Sequence, residues 1–548
     1  MWSPRHQEYQ NSVAEWFRKH ARDPGVAEEL ESHKAALLVV WNLDLEPARP
    51  FLDECYAANP RGGKPRDSVT TLRSLTLSLL KEQTSLNKWV PQYRGSRVLK
   101  VLTGLAEGDP GPGVGTFYDM LDRLHDGKKN CAGGVESASG LEKRRAKTPR
   151  PKKRKERAAN PNTARGRRTV RRAEEREKKN EAERQAEVRN ETVTARIVEE
   201  LKAAEELPAA VDVTTRLALI LLTVAVEPSA QKGLLGKLTA LDFNGDGSPL
   251  PTGASPFGKK VCGHSRFEKC DCERIYSDPD AAWGYDNHRK VWFFGHHLYE
   301  IGVSIEGHDL PLFIRLDPGN ESDYCASLKA LDSCRKLLRE RHPDWKVATY
   351  TADAGHDADA IYRYLQGAGI APVILNRDNF PAEYPGRPDI KLSRRGVPLC
   401  TGNVEMAHRS TCSDGKQVFY CPVRAGLLKA CPLAPNGDPD WRCCPDTNWG
   451  PTVTIDAFEH PRLSGLIPRN TAKWKKRYNA RSGCERRNSG KKVGFDLVEA
   501  RHRRASYWLI RPYVMAILQH AKAWVAGTDA GELVDRLLGR SENLALAA

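Results

Sequence analysis

A basic stretch near the C-terminus combines residue types that could act on a polyanion. Residues 473–492 carry a single carboxylate, Glu485, among many lysines and arginines. On an α-helix, at about 100° per residue, Tyr478, Arg481, Glu485 and Lys492 fall on one narrow stripe. Two glycines in the stretch each weaken a helix by about 1 kcal/mol relative to alanine, so the helix could end before Lys492. The stripe places an aromatic ring and two cations around one acid.

The simplest interpretation of this stretch is a solvated basic helix with one compensating glutamate. Its spacing favours another interpretation. The pattern Tyr-x2-Arg-x3-Glu-x6-Lys, in residues 478–492, resembles the signature of a group of DDE transposases from prokaryotic insertion sequences. The resemblance covers residues 230–525, with a weaker match in the N-terminal region. It implies that two aspartates further upstream act together with Glu485.

Two upstream segments resemble the aspartate motifs of that family. Asp353 follows a predicted buried strand at residues 347–351, and the small residues after it would allow metal and DNA to approach closely. A carboxylate in this position is often only a helix cap, a task that Asp357 could perform equally well. Asp246, in an Asp-Gly-Ser sequence, resembles the first-aspartate motif.

Asp242 competes with Asp246 for the first position. A predicted strand at residues 238–243 contains Asp242, whereas Asp246 lies in a predicted turn beside two glycines. Metal ligands must project from the end of a strand into a space that admits phosphate, and glycine lets the backbone approach closely. These considerations and the resemblance favour Asp246, although a shorter strand would make Asp242 equally suitable.

The resemblance implies a role for each of these residues. Three carboxylates would bind two Mg²⁺ or Mn²⁺ ions: Asp246, Asp353 and Glu485. Arg481 and Lys492 would contact phosphates near the cleaved end, and Tyr478 would pack on or bond to the DNA there. Two divalent ions about 3.5–4 Å apart can activate the attacking oxygen and stabilise the leaving one. Mg²⁺ prefers carboxylate oxygens, and cations on the face of Glu485 suit an anionic strand.

The elements that must position these residues follow an α/β pattern. Periodicity predicts strands at residues 238–243, 291–305, 310–316, 347–351 and 371–375. Helices are expected between the last three strands, and a final helix carries Glu485. This is the order of an RNase H-like domain, a mixed sheet flanked by helices. We therefore expect an α/β RNase H-like catalytic domain with an inserted Cys-rich subdomain, preceded by an all-α domain and a basic linker.

Composition divides the chain into six segments. We expect an N-terminal helical domain that binds DNA ends (1–125), a basic flexible linker (126–194), the first part of the catalytic domain (195–377), the inserted Cys-rich subdomain (378–470), the second part of the catalytic domain (471–525) and a C-terminal tail (526–548). Short helices in the first segment could form a helix-turn-helix DNA reader or, equally, a small packing module.

The charge balance indicates a polyanionic partner. The 548 residues include 86 basic and 70 acidic residues, for a net charge of +16. Residues 141–180 alone hold about 18 Lys and Arg against 5 Glu, with almost no large apolar residues, and so cannot form a core. This segment is expected to clamp phosphates without sequence preference; the alternative is a merely soluble linker.

Fourteen cysteines are present, and the N-terminus lacks the apolar core of a secretion signal. We therefore expect reduced thiols or metal sites rather than disulfides. One candidate zinc site is formed by Cys262, His264, Cys270 and Cys272. A second could draw on His408 and the later cysteines: Cys400, Cys412, Cys421, Cys431, Cys443 and Cys444. Structural thiols are the alternative for both, and His297 and His356 are expected to be packing or capping groups.

Together these features predict an insertion-sequence transposase that cleaves and joins DNA. Its partners would be double-stranded DNA at terminal inverted repeats and at the target, and it would act as a homo-oligomer, a dimer, because two ends must be paired. The alternatives are an RNase H-like nuclease without strand transfer and an inactive, transposase-derived DNA-binding protein. The longest apolar run, residues 217–226, is too short to span a bilayer, so we expect a cytoplasmic, nucleoid-associated protein.

Overall fold

The computed structural model describes most of the chain outside the predicted linker. The described residues are 2–56, 65–126, 181, 191–207, 212–265, 270, 272, 274–286, 288–377, 382–438, 441, 447–497 and 502–540. Nearly all of the predicted basic linker, 126–194, lies outside these residues, and so do Cys443 and Cys444.

The N-terminal region is helical, as predicted. Within its described part the α-helices are α1 (Pro4–Lys19), α2 (Pro24–Ser32), α3 (Lys34–Asn42), α4 (Arg49–Asp53), α5 (Ser68–Leu80), α6 (Leu86–Gly95), α7 (Arg97–Leu102) and α8 (Val114–Asp126). Helix α5 begins at Ser68, where the Asp67 carboxylate caps it by accepting a hydrogen bond from the Thr70 amide at 2.7 Å. Nearly all of α5 is buried, so it forms the centre of this region.

The strands of the central part form a mixed sheet. In chain order they are β1 (Leu241–Pro251), β2 (Lys259–Lys260), β3 (Arg274–Ile275), β4 (Ala282–Asp286), β5 (Val291–Ile305), β6 (His308–Pro318), β7 (Val347–Ala352) and β8 (Ala371–Ile374). The large sheet has the order β4-β5-β1-β7-β8, and β6 pairs with the second half of β5. Strand β1 is antiparallel to β5 and parallel to β7, and β7 is parallel to β8. The prediction of a mixed sheet is confirmed.

Helices flank this sheet. They are α9 (residues 191–203), α10 (Val213–Gln231), α11 (Asp323–Arg341), α12 (Asp359–Gly367), α13 (Ala472–Asn479), α14 (Ser482–Lys492), α15 (Ala505–Trp524) and α16 (Ala530–Leu537). Helices α11 and α14 both pack on β1, β5 and β6. Among the described helices, α10 is long and apolar enough to cross a membrane, but more than half of it is buried, against β6, α15 and other elements.

One hydrophobic core joins the N-terminal helices to the sheet. Helix α15 makes this connection, because it packs on β6 and also on α3, α5 and α8. Helix α16 continues the contact and packs on α1, α2 and α3. The last helices of the chain therefore cover its first helices.

Strand β1 differs from its predicted form. We expected a strand at 238–243 followed by a turn at 245–249, and this expectation is wrong, because β1 continues through Asp246 to Pro251. Strand β5 pairs with it along nearly its full length, from Phe243 opposite Val303 to Pro251 opposite Gly295. Gly245 serves close packing here rather than a turn, because a Cβ atom there would lie 2.6 Å from the Tyr350 hydroxyl.

The segment between β8 and α13 contains short strands and a small core of its own. Its strands are β9 (Glu383–Tyr384), β10 (Arg387–Lys391), β11 (Ala407–Thr411), β12 (Lys416–Tyr420) and β13 (Thr452–Asp456). Their apolar side chains form a cluster separate from the main core. Arg462 ties the segment to the sheet, because its guanidinium binds both oxygens of the buried Asp357 carboxylate at 3.0 Å.

Candidate functional site

The two predicted aspartates lie at matching positions relative to two neighbouring parallel strands, Asp246 within β1 and Asp353 directly after β7. The pairing of β1 with β7 ends at Asn244 opposite Thr351. Asp246 and Asp353 each follow two residues later, so side-chain alternation places Asp246 on the face of Asn244 and Asp353 on the face of Thr351. The structure thus brings these two carboxylates towards one space, although they are more than 100 residues apart in sequence.

Asp246 lies in a crowded acidic environment. Burial raises its pKa to about 6, and the negative charges of Asp323 and Asp353 act in the same direction, against His356 and Arg481. The side-chain amide of Asn488 donates a hydrogen bond to the Asp246 carboxylate at 3.3 Å. Because Asn488 belongs to α14, this bond connects the aspartate directly to the helix that carries Glu485.

Asp353 is oriented by a buried histidine. Its carboxylate lies 2.6 Å from Nδ1 of His356, and Nε2 of that ring lies 3.1 Å from the Tyr299 hydroxyl. The Tyr299 and Tyr350 hydroxyls are in turn 2.6 Å apart. Burial opposes protonation of His356, but the Asp353 carboxylate and the nearby acids outweigh it and raise the histidine pKa. His356 therefore binds a site carboxylate, whereas we expected it to be a packing or capping group.

A third aspartate, Asp323, was missed by the sequence reasoning. It lies in the first turn of α11, whose N-terminus is capped by Ser322. The Asp323 carboxylate is half-exposed and accepts a hydrogen bond from His297 Nε2 at 2.8 Å. Its negative charge acts to raise the pKa of both Asp246 and Asp353. A Cβ atom on Gly247 would lie 1.9 Å from Asp323, so this glycine leaves room for the carboxylate. His297, like His356, binds an acid.

The predicted helix through residues 478–492 is divided into two. Helix α13 ends at Asn479 and α14 begins at Ser482, so Arg481 lies in the turn between them and Lys492 ends the second helix. Gly483 allows α14 to approach the sheet closely, because a Cβ atom there would lie 1.8 Å from the Ser304 hydroxyl. The glycine that weakens the helix in isolation is therefore required by its packing.

A buried ion cluster fixes α14 on the sheet. Arg487 donates to the Glu300 carboxylate at 2.6 Å, and Lys491 donates to its other oxygen. All three side chains are almost completely buried. Arg487 also donates to the Asn244 side chain, two residues before Asp246 on β1, at 2.6 Å. Arg487 and Lys491, two cations of the basic stretch, are thus buried and hold α14 against the strands of the sheet instead of facing solvent.

Glu485 is exposed and is held by a cation. Its side chain is 61% exposed, and Arg481 donates to it at 2.9 Å. The positive charge of Arg481 acts to lower the pKa of both Asp246 and Asp353. The negative charge of Asp246 acts to raise the pKa of Lys492. Tyr478 stacks on Trp474 with ring centroids 4.7 Å apart. The structure therefore places the cations Arg481 and Lys492 within electrostatic reach of the aspartates.

The predicted three-acid set is not assembled as a compact metal cage. Among the described residues, the one group of potential ligands whose atoms all lie within 4.8 Å of one another consists of cysteines and a histidine, not of these acids. Asp242, the alternative first acid, has other partners: Thr349 donates to it at 2.7 Å and Arg477 at 3.2 Å. Asp246, by contrast, faces the other acids.

Cys262, His264, Cys270 and Cys272 form that compact group, beside the β2–β3 pair. The sulfur atoms of Cys262 and Cys270 are 3.6 Å apart, and the sulfur of Cys272 is 3.5 Å from His264 Nδ1. Zinc bonds of about 2.0–2.3 Å in a tetrahedron give ligand separations of about 3.4–3.8 Å. Hydrogen bonds from His264 lower the pKa of Cys262 to about 6. The cluster could hold a metal such as zinc.

The second predicted cysteine group forms no such cluster in the described part of the chain. His408, Cys400, Cys412, Cys421 and Cys431 are described, and they do not come together as ligands. Cys421 and Cys431 are instead buried as reduced thiols.

Comparisons with known proteins identify no relative of this chain. Neither a protein-family model, nor a curated protein, nor a solved structure matches it. The chemistry of the site therefore rests on its own residues.

Proposed function

We propose that this protein is a metal-dependent DNA transposase of the DDE type, which cleaves the ends of an insertion sequence and joins them to target DNA. One observation carries the proposal. Asp246 and Asp353 follow the paired ends of adjacent parallel strands and lie near the helix that presents Glu485 and its flanking cations. The pattern Tyr-x2-Arg-x3-Glu-x6-Lys in that helical segment independently resembles the transposase signature.

We also propose that the sheet is an RNase H-like core. Strand β5 pairs antiparallel with both β1 and β6. Strands β7 and β8 extend the sheet beyond β1 in parallel, with helix α11 before β7 and helix α12 between β7 and β8. In such an arrangement the first strand lies centrally, so an acid on it can meet one that follows its parallel neighbour. Asp246 and Asp353 have this relation.

The acidic centre suits a hard divalent cation. The centre holds three aspartates whose negative charges repel one another: Asp246, Asp323 and Asp353. The pKa of Asp246 is raised to about 6 because its carboxyl group is buried beside the other two charges. Carboxylate oxygens of this kind are preferred by Mg²⁺ and Mn²⁺. Such ions, when bound, would activate the attacking oxygen and stabilise the leaving oxygen at phosphorus. His356 and Asn488 would keep the carboxylates of Asp353 and Asp246 oriented towards the ions.

In this proposal, Arg481 links the binding of DNA to the position of the Glu485 carboxylate. It holds the Glu485 carboxylate at 2.9 Å, on the solvent side of α14. A DNA phosphate arriving at Arg481 competes for the same guanidinium, since phosphate and carboxylate both match its donor geometry. Glu485 would then be released to turn towards Asp246 and complete the metal site. Assembly of the three acids would thus follow DNA binding, in keeping with the incomplete set described above.

The experiment that tests this function uses DNA carrying the inverted repeats that flank the coding region. With Mg²⁺, the full-length protein is expected to nick both ends and to join them to a second duplex. Cleavage without joined products would favour the RNase H-like nuclease, and binding without cleavage would favour the inactive DNA-binding protein. The presence of all three acids argues against the latter. A dimer is proposed because both ends must be held together.

Asp246→Asn and Asp242→Asn distinguish the two candidates for the first acid. Asp246→Asn is expected to be inactive, because the amide loses the negative charge that a metal requires. Asp242→Asn should keep at least part of the cleavage activity, because Asp242 binds Thr349 and Arg477 instead. The measurement is Mg²⁺-dependent nicking of an end-containing duplex. The reverse pattern would assign the first position to Asp242.

We further propose that the compact Cys/His group binds zinc. The purified protein should then carry about one zinc per chain that resists mild chelation. Cys270→Ser should lose that zinc, whereas the exposed Cys412→Ser, outside the group, should retain it. Elemental analysis of both variants provides the measurement. Zinc-free wild-type protein, purified without chelators, would show that these are ordinary thiols.

A further inference from the structure

A cavity separates the N-terminal helices from the start of α15. Its volume is about 850 Å³, within the range of about 300–1,000 Å³ typical of small-ligand sites. Helices α5, α6 and α8 form one wall, and residues 496–511 contribute the other in their described part. The acidic centre does not share any of its lining residues.

A buried arginine in this wall forms no ion pair with any described residue. Arg511 is only 6% exposed, and Asp496, which lines the same cavity, favours its charged form without pairing with it directly. Its Nη2 donates to the Thr84 carbonyl, whereas its Nη1 has no acceptor in the described part of the chain. Burial lowers the pKa of Arg511 to about 10, which still leaves it charged at neutral pH. A buried charge without a partner is costly, and an anion in the cavity would relieve that cost.

A second donor faces the same cavity. Nε2 of His502 is buried and has no partner among the described residues. Burial and the charge of Arg511 hold the pKa of His502 well below its usual range, so the ring is neutral and can donate one hydrogen bond. Lys88 and Arg503 add positive charge at the rim, where both are exposed. Arg504, in contrast, is neutralised by Asp122 at 3.1 Å.

One part of the lining suits a flat, apolar group. Tyr118 and Tyr507 line the cavity with ring centroids 5.6 Å apart, and Leu75, Leu79 and Leu121 lie beside them. Aromatic rings next to cations are the combination that receives a base and its phosphate. The cavity is also larger than a phosphate group alone requires.

We propose that this cavity binds a nucleotide, with its phosphate on Arg511 and His502 and its base against Tyr118 and Tyr507. The nucleotide could be free or could belong to an unpaired end of a DNA strand. The proposal does not depend on strand cleavage, so binding measured in EDTA separates it from the proposed function. The probes are dAMP, inorganic phosphate and a 5′-phosphorylated oligothymidylate.

Arg511→Met provides the main test on the full-length protein. The wild type should bind dAMP by calorimetry and show a higher melting temperature in its presence. Arg511→Met should lose at least about tenfold in affinity, because a charged hydrogen-bonding partner of the phosphate is removed. Without nucleotide, this variant should be as stable as the wild type or more so, since it no longer buries an unpaired charge. A purely structural arginine would show the opposite, unchanged affinity and lower stability.

Two further variants keep the proposal falsifiable if Arg511→Met does not fold. His502→Phe preserves the ring and should weaken binding of both dAMP and phosphate. Tyr507→Leu should weaken dAMP alone. Competition by the oligothymidylate for bound dAMP would identify a DNA end as the natural ligand, and lack of competition would identify a free nucleotide. Absence of dAMP binding to the wild type at millimolar concentration would overturn the proposal, as would phosphate binding equal to that of dAMP.

Discussion

Asp353→Asn and Glu485→Gln are each expected to reduce Mg²⁺-dependent cleavage at transposon ends about a thousandfold or more. Each change removes a proposed metal ligand, and the ions supply several kcal/mol of stabilisation to the developing charge. Binding of the same ends should be retained by both variants, because neither carboxylate is proposed to contact DNA, and Glu485→Gln also frees Arg481 for a phosphate. Gel-based cleavage and equilibrium binding on one labelled duplex measure both quantities.

The matched control for Asp353→Asn is Asp359→Asn. Asp359 lies six residues later, half-exposed in an ion pair with Arg363 at the start of α12, and away from the acidic centre. It should retain cleavage close to that of the wild type. Near-normal cleavage by Asp353→Asn or Glu485→Gln would remove these residues from the catalytic role. A loss of end binding equal to the loss of cleavage would indicate a folding defect instead.

Glu300→Gln is expected to lower the free energy of unfolding by about 3–5 kcal/mol, because it leaves two buried cations without their counterion. Arg487 and Lys491 share this single carboxylate, and all three side chains are almost fully buried. The change should also loosen α14 and thereby displace Glu485. The urea midpoint of unfolding and hydrogen exchange of the α14 amides measure the two effects.

Asp389→Asn is the control for this loss. Asp389 forms an ion pair with Arg387 at 2.8 Å, but both side chains are exposed, so its removal should leave the urea midpoint nearly unchanged. A triple variant, Glu300→Leu with Arg487→Met and Lys491→Met, should recover much of the stability, because it removes all buried charge together. Equal midpoints for Glu300→Gln and Asp389→Asn would contradict the importance given to this cluster.

Local signals in the sequence predicted much of the fold. The cap at Asp67, the long strand β5 with its aromatic and β-branched residues and the strand before Asp353 all follow from neighbouring residues, and each lies where the pattern indicates. These features need only short-range information, namely caps, periodicity and turn residues.

Long-range pairing explains what the sequence could not show. Gly245 and Gly247 resemble a turn, but β5 pairs with that segment and makes it a strand. Asp323 meets Asp246 only because α11 begins beside β1, and the role of Glu300 appears only when α14 packs over it. A signal for Asp323 did exist: an acid beside an adequate serine cap leaves its carboxylate available for another partner.

The position of α15 also affects how the chain can fold during its synthesis. Helices α3, α5 and α8 bury part of their apolar surface against α15, which begins at Ala505. At about 5–20 residues per second, roughly 20–80 s pass between the synthesis of α8 and that of α15. The first helices to leave the ribosome must therefore keep an apolar face uncovered until nearly all of the chain has been translated.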